Sequence, residues 1–134
     1  MAELMDVVRQ MQAAVKRQDR VAILALVTPD LEYHYHVGSK PLHGAAKLEK
    51  FLDNYWGRMR DVVWQIDKYA QAGSDTLLME GHEEFTDSQT GERKTNRYMG
   101  SMVFRDGKIA VWRDYFQMGP APTGGPGSQT AASG

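Results

Sequence analysis

The sequence predicts an α+β fold in which helices pack on one face of a curved antiparallel sheet. The order of the predicted elements supports this class, because helix, helix, strand and helix are followed by four strands. Short turns link those four strands, and short links join antiparallel neighbours. The 134 residues are enough for one domain with a modest hydrophobic core.

Two helices, a strand and a third helix are predicted in the first half of the chain. Apolar residues recur at helical spacing from Glu3 to Lys16, and Asp19 is a typical N-cap for a short second helix that Thr28-Pro29-Asp30 would end. Residues 31–37 alternate as a strand does, and Gly44 opens the third helix. The apolar face of that helix comprises Leu48, Phe51, Leu52, Tyr55, Trp56 and Met59.

The four strands of the second half are predicted at residues 61–69, 76–86, 94–105 and 108–118. Asp106-Gly107 forms the turn between the last two strands. We expect Trp56 and Trp64 to pack in the core. From Gly119 onward the chain has no charge and no large apolar side chain, so it cannot bury enough surface to offset its ordering entropy. We therefore expect a domain over residues 1–118 and a flexible tail over residues 119–134.

The bulk composition excludes several classes of function. Acidic and basic residues nearly cancel, leaving a formal charge of −1, and without a long basic run we expect no nucleic-acid partner. No apolar run is long enough to span a membrane, and the amphipathic N-terminus lacks the apolar core of a signal peptide. The absence of cysteine excludes disulfides and thiol catalysis. We expect a cytoplasmic protein with no membrane partner.

The last predicted strand carries the clearest candidate for catalysis. Trp112, Asp114 and Phe116 share one face of it, because successive side chains of a strand alternate. A carboxylate among aromatic neighbours is costly to bury unless it is paired or protonated, which is typical of a catalytic acid or base. The alternative is an ion pair between Asp114 and Arg97 or Arg113 at a sheet edge.

The same alternation on the other strands predicts an apolar pocket with a few polar groups, the usual composition of a small-molecule site. Glu83 would be the acid–base partner of Asp114, since two neighbouring carboxyls can hold their pKa values apart. A slip of one residue in register would replace Glu83 with His82 or Glu84. Tyr33 completes the catalytic candidates. The substrate-binding candidates are Tyr35, Asn96, Tyr98, Trp112, Phe85, Phe116, Tyr55 and Met59, with Gly81 on the same face and Val15 closing the pocket.

The histidines offer two further hypotheses. Strict alternation turns His82 away from the pocket, whereas a β-bulge would turn it inward, where it could act as a general base. His34 and His36 share a strand face at a spacing that can bind a metal, but no third ligand lies at a recognised spacing. Their other roles would be an outer-face or interface pair, or a catalytic histidine at the cavity mouth. We therefore expect neither a metal nor a cofactor.

Two segments resemble proteins of known families. The first is Val37-Gly38-Ser39-x-Pro41-x-x-Gly44, as also seen in ketosteroid isomerases. The second contains Gly107-Lys108-Ile109 and the run Trp112-Arg113-Asp114-Tyr115-Phe116, as seen in epoxide hydrolases. Together with the order of elements they resemble the nuclear transport factor 2-like superfamily, most closely its SnoaL-like and limonene-epoxide-hydrolase-like branch. This resemblance implies a cone-shaped antiparallel or mixed sheet wrapped around helices, with an internal cavity, and a homodimer formed through the outer sheet face.

The resemblance also assigns individual positions. Limonene epoxide hydrolases use an Asp–Arg–Asp triad that activates water and protonates the epoxide oxygen, while a tyrosine and an asparagine hold the water. Asp114 and Glu83 match the two aspartates, whereas Gly81 falls where the bridging arginine lies. Tyr33 matches the tyrosine, and Tyr35 stands where the asparagine would be.

In ketosteroid isomerases, by the same resemblance, the general-base aspartate aligns with Tyr35 and the oxyanion-hole aspartate falls near Gly100. These departures imply a different chemistry in the same cavity. We expect general acid–base catalysis on a small, largely apolar, cyclic or aromatic oxygenated molecule, with hydrolase, isomerase, dehydratase and lyase outcomes all compatible. The alternative is a non-catalytic module that binds a small ligand or mediates dimerisation.

Overall fold

The computed structural model describes residues 3–116. The helices are α1 (Leu4–Lys16), α2 (Arg20–Ala25) and α3 (Ala45–Arg58), and the strands are β1 (Val27–His34), β2 (Leu42–His43), β3 (Met59–Ala72), β4 (Thr76–Asp87), β5 (Arg93–Arg105) and β6 (Lys108–Phe116). The domain boundary expected at residue 118 and the tail expected over residues 119–134 lie outside the described residues. None of the helices within residues 3–116 has the length and apolar character needed to cross a membrane.

The six strands form one mixed sheet in the order β2-β1-β6-β5-β4-β3. Strands β3 to β6 form the antiparallel meander that their short turns predicted, whereas β1 lies parallel to β6. The α+β class and the curved mixed sheet are therefore confirmed. Because β1 lies beside β6, Tyr33 is in register with Trp112, which brings the first and last strands into one site.

The start of β1 corrects one expectation. Thr28-Pro29-Asp30 was expected to end the second helix, but α2 ends at Ala25 and these residues belong to β1. The pairing of β1 with β6 shifts register between Val27 and Glu32, and Pro29 lies in this irregular stretch. A proline has no N–H to donate to a ladder, so it is tolerated at such an irregularity.

The hydrophobic core lies between the helices and the concave face of the sheet. Helix α1 buries Met5, Val7, Val8, Met11 and Ala14, and α3 buries Leu48 and Leu52. The side chain of Asp19 accepts a hydrogen bond from the Ala22 backbone N–H at 3.1 Å, so it caps α2 as its residue type predicted. This packing holds the helices over the sheet and leaves room for a cavity beside them.

Irregular pairing bends β3, an edge strand of the sheet. Its register against β4 shifts between Arg60 and Val63 and again between Ile66 and Lys68. Such irregularities increase the local bend and twist of a strand. Gly81 of β4 lies opposite the second shift, and a Cβ atom there would be 2.0 Å from the Gln65 carbonyl oxygen. Glycine therefore allows the two backbones to approach at this bend.

Candidate active site

A cavity of about 700 Å³ lies between α1, α3 and the concave face of the sheet. Its walls are mostly apolar and aromatic, with a few polar groups, which is the composition of a small-molecule site. The lining residues are Met11, Val15, Ile23, Tyr33, Tyr35, Leu48, Phe51, Leu52, Asn54, Tyr55, Arg58, Met59, Trp64, Glu83, Asn96, Tyr98, Trp112, Asp114 and Phe116.

Asp114 lies on the inner face of β6 with 8% of its surface exposed. Burial raises the pKa of its carboxyl to about 8, against the opposing effect of a hydrogen bond that the Trp112 Nε1–H donates to Oδ1 at 3.1 Å. The nearby Glu83 carboxylate raises this pKa further. Neither ion pair considered as an alternative is formed, since Arg113 instead lies 3.6 Å from Glu32 and Arg97 is in register with His82 on the outer face.

The partner strand leaves space for the Asp114 side chain. Gly100 of β5 is in register with Asp114. A Cβ atom at Gly100 would lie 3.0 Å from Asp114 Oδ1 and 3.1 Å from the Arg113 carbonyl oxygen, which is tighter than ordinary packing. A glycine at this position therefore lets the carboxyl lie against the sheet beside Trp112.

Glu83 is the second carboxyl in the cavity wall. It lies on β4 opposite Asn96 of β5, and its Oε2 accepts a hydrogen bond from the Tyr55 hydroxyl of α3 at 2.7 Å. Burial raises the pKa of Glu83, while the Tyr55 hydrogen bond acts in the opposite direction. The two carboxyls therefore occupy different environments, in which Glu83 accepts a hydrogen bond from Tyr55 and Asp114 accepts one from Trp112.

Tyrosine hydroxyls surround the two carboxyls. Burial raises the pKa of Tyr33, Tyr55 and Tyr98, so all three remain phenols at neutral pH. The Trp64 Nε1–H donates to the Tyr98 oxygen at 2.6 Å, which leaves the Tyr98 proton available to another acceptor. No hydrogen bond from the Tyr33 hydroxyl to another residue is found within residues 3–116, although Tyr33 is only 7% exposed.

Aromatic rings pack around Tyr33 in the centre of the wall. The ring centroid of Tyr33 lies 4.6 Å from that of Trp112, 5.3 Å from that of Phe51 and 6.2 Å from that of Tyr35. Trp64 stacks on Trp112 at 5.5 Å with an interplanar angle of 20°. These contacts fix the side chains of four elements around one cavity.

Two expectations from the sequence, the inward orientation of His82 and the lining role of Phe85, are corrected here. His82 lies on the outer face, with Nδ1 3.1 Å from Asp67 and Nε2 3.4 Å from Glu84, because the bulges are in β3 and β4 keeps strict alternation. Phe85 is buried but does not line the cavity, since it lies near the end of β4. Trp64 packs against the core as expected, and it also lines the cavity.

Gly81 faces inward but is also absent from the lining. The β3 backbone covers its Cα, so no side chain of any size fits there without a shift of that strand. The arginine that bridges two aspartates in the limonene epoxide hydrolases therefore has no place in this sheet. Among the cavity-lining residues, Arg58 is the single basic one, and its side chain is exposed at the end of α3.

Sequence reasoning missed several lining residues of the helices. They are Met11, Ile23, Leu48, Phe51, Leu52, Asn54 and Arg58. Helical periodicity gave a usable signal for α3, because Phe51, Tyr55 and Arg58 follow one another at spacings of four and three residues. No comparable signal existed for Met11 and Ile23, whose positions on apolar faces fit ordinary core packing equally well.

The remaining histidines lie outside the cavity lining. His34 Nε2 is 2.5 Å from Glu32 Oε2, and the side chains of both are partly exposed. The hypothesis of a metal at His34 and His36 needs a third ligand. In the part of the chain from residue 3 to residue 116, no group of three or more His, Cys, Asp or Glu side chains could hold a metal ion.

Three solved structures illustrate what the chain is similar to. An NTF2-like protein of unknown function from Burkholderia pseudomallei is 20% identical with a TM-score of 0.76, over 87% of this chain and 92% of that chain. An LEH-like epoxide hydrolase of M. tuberculosis is 24% identical with a TM-score of 0.73, over 85% and 82%. TerC, co-crystallized with polyporic acid, is 21% identical with a TM-score of 0.73, over 85% and 91%.

At these identities the structural similarity shows the fold, which is shared with NTF2-like proteins. No curated protein matches the chain. The model of the SnoaL-like domain family matches residues 8–112, which contain all six strands in part or in full. The chain therefore belongs to the SnoaL-like domain family.

Proposed function

We propose that the protein is an enzyme that performs general acid–base chemistry on a small, largely apolar, cyclic or aromatic oxygenated molecule. One observation carries the proposal: the carboxyl of Asp114 lines an aromatic cavity and has a pKa raised to about 8. A carboxyl that is protonated near neutral pH can donate a proton to a substrate and take one back later in the cycle.

Glu83 acts as the partner of Asp114. The two carboxyls face one cavity from β4 and β6, and each accepts a hydrogen bond from a different neutral donor, Tyr55 or Trp112. Two carboxyls in unequal environments titrate separately, so that one donates a proton while the other accepts one. Proton transfer by these side chains requires no cofactor.

Three polar side chains orient the substrate. Because Trp64 donates to the Tyr98 oxygen, the Tyr98 proton is available to a carbonyl or alkoxide oxygen in the cavity. Tyr33 presents a second buried phenol beside both carboxyls, whose charges raise its pKa after the larger effect of burial. Asn96 lies beside Glu83 and can hold a water molecule or a polar substituent.

The reaction class stays open among hydrolysis, isomerisation, dehydration and lyase chemistry. The similarity to the LEH-like epoxide hydrolase and to the polyporic acid-bound TerC supports a small-molecule substrate. The covered backbone at Gly81 argues against the Asp–Arg–Asp arrangement, so an epoxide would have to be protonated by Asp114 without a bridging arginine.

The substitution Asp114→Asn tests the proposal. A panel of epoxides, cyclic ketones and lactones is screened with the native protein, and turnover of any substrate found is compared between the two proteins. We expect a loss of about 10²- to 10⁴-fold in kcat, because the amide keeps the shape but transfers no proton. Circular dichroism and thermal melting establish that the variant is folded.

The same experiment distinguishes an enzyme from the non-catalytic alternative. A ligand-binding module would show no turnover of any panel member that binds in the cavity. Unchanged turnover in Asp114→Asn would remove Asp114 from the mechanism. The matched control is Asp106→Asn in the exposed β5–β6 turn, where φ is +53° and asparagine is tolerated, and we expect it to keep full activity.

A further inference from the structure

The two cavity carboxyls form no ion pair with any residue between 3 and 116. The hydrogen bonds to Asp114 and Glu83 come from Trp112 and Tyr55, which are neutral. Neither carboxyl forms an ion pair with a residue between 3 and 116, and no basic side chain is among the groups that shift the pKa of either. When ionised, these carboxylates therefore carry negative charge without an ion-pair partner between residues 3 and 116, and the one basic lining residue, Arg58, is exposed at the end of α3.

The rings around these carboxyls form a site that favours positive charge. The rings of Tyr33 and Trp112 are tilted with centroids 4.6 Å apart, and those of Tyr33 and Phe51 meet edge to face at 5.3 Å. Trp64 stacks on Trp112. The π-faces of tryptophan, tyrosine and phenylalanine attract cations, most strongly where water is excluded. Rings contributed by β1, α3, β3 and β6 line the same cavity as the carboxyls.

The Tyr33 hydroxyl also faces this space. The Tyr33 side chain is more than nine-tenths buried and lines the cavity, and its hydroxyl makes no hydrogen bond to the described residues. The oxygen of Tyr33 is not among the fully buried atoms that lack a partner, so the hydroxyl is open to the cavity, where it can accept a hydrogen bond from the N–H of a tertiary ammonium ion. The ring network and this hydroxyl are observations independent of the carboxyl charges.

Glu83 is the better placed of the two carboxyls to pair with a cation. It is less buried than Asp114, and its Tyr55 partner lies on α3 between Asn54 and Arg58, which are exposed. A charged group of a ligand loses less hydration near such an exposed rim than in the depth of the cavity. Pairing at Glu83 also leaves Asp114 available for proton transfer.

We propose that the cavity binds an organic ammonium ion, a tertiary or quaternary amine on a small apolar molecule, with Glu83 as its counter-ion and the aromatic rings around its alkyl groups. This inference rests on the proposed function in that it uses the same cavity and assigns the substrate class. Binding converts protonated Glu83 to the carboxylate, so one proton is released to solvent wherever Glu83 was protonated beforehand.

The probes are benzyltrimethylammonium and, as a neutral molecule of similar size, N-benzylacetamide. Calorimetry and quenching of tryptophan emission give the two dissociation constants, since Trp64 and Trp112 line the cavity. At pH of about 8.5 we expect the ammonium ion to bind at least about tenfold more tightly than the amide. Equal affinities, or no saturable binding of the ammonium ion, would overturn the proposal.

The matched variants are Glu83→Gln and Glu80→Gln, two identical substitutions on β4. Glu80 is exposed on the opposite face, so its replacement should leave both affinities unchanged. Glu83→Gln should weaken ammonium binding by about tenfold or more and leave amide binding unchanged, which also shows that the cavity is intact. Equal ammonium affinity of native protein and Glu83→Gln contradicts the assignment of the counter-ion.

The pH dependence supplies an independent readout. Burial raises the pKa of both Glu83 and Asp114, so ammonium affinity should fall as the pH is lowered and the two carboxyls take up protons, whereas amide affinity should not follow. In Glu83→Gln only Asp114 still titrates, so the fall should be smaller than in the native protein. These binding measurements do not depend on catalytic turnover. An inactive protein that prefers the ammonium ion refutes only the acid–base function, and an active Asp114-dependent enzyme without this preference refutes only the ammonium site.

Discussion

Asp114 is a carboxyl group that folding transfers from water into an aromatic cavity, and this transfer makes stability depend on pH. The folded protein holds the proton up to a pH of about 8, whereas an unfolded chain holds it only up to a pH of about 3.9. Unfolding therefore releases a proton between these limits. The free energy of unfolding should fall as the pH rises through this window, by on the order of a few kcal/mol in total.

Urea unfolding between pH of about 5 and about 9 measures this effect. The variant Asp114→Asn carries no titrating group at this position, so its free energy of unfolding should depend less on pH and exceed that of the native protein at the alkaline end. Asp106→Asn should retain the native pH dependence. The same pH dependence in the native protein and in Asp114→Asn would contradict a protonated Asp114 in the folded state.

At the scale of elements, alternation in the sequence predicted β4 and β6 well and β3 poorly. Glu83 and Asp114 lie on the cavity side as expected, because β4 keeps a regular period of two against β5, and so does β6 from Val111 to Phe116. Strand β3 contains two register shifts, which leave no mark in its hydrophobic pattern. The bend they produce brings Trp64 over Trp112, and a contact of this kind depends on tertiary geometry that no local pattern encodes.

A substitution at Gly81 tests the same bend of β3. The variant Gly81→Ala would place a Cβ atom 2.0 Å from the Gln65 carbonyl oxygen, so we expect a loss of at least about 2 kcal/mol in the free energy of unfolding. Gly57→Ala is the matched control, because nothing lies within 4 Å of a Cβ atom at this helical position. It should stabilise the protein by up to about 1 kcal/mol. Denaturant unfolding of both variants measures these changes. An unchanged free energy of unfolding in Gly81→Ala would contradict the close approach of β3 to β4.

At the scale of the whole molecule, the outer face of the sheet exposes large apolar side chains. Leu78, Met99 and Tyr115 are about half exposed, and Met99 lies directly opposite Tyr115 on the neighbouring strand. Clustered apolar side chains of this size on a sheet face are typical of protein–protein interfaces. We propose that two copies of the chain associate through this face, as the family resemblance of the sequence implies.

Sedimentation velocity of the native protein and of Met99→Glu tests this association. A carboxylate at position 99 would be buried in the interface and would lie beside Glu80, its neighbour across the β4–β5 ladder, so the variant should sediment as a monomer and the native protein as a dimer. Val21→Glu introduces the same charge on α2, at a side chain that is 80% exposed and remote from the sheet face, and should remain dimeric. A monomeric native protein at micromolar concentration would contradict the interface. Because the cavity opens on the concave side of the sheet, Met99→Glu should retain the binding affinities of the native protein even as a monomer.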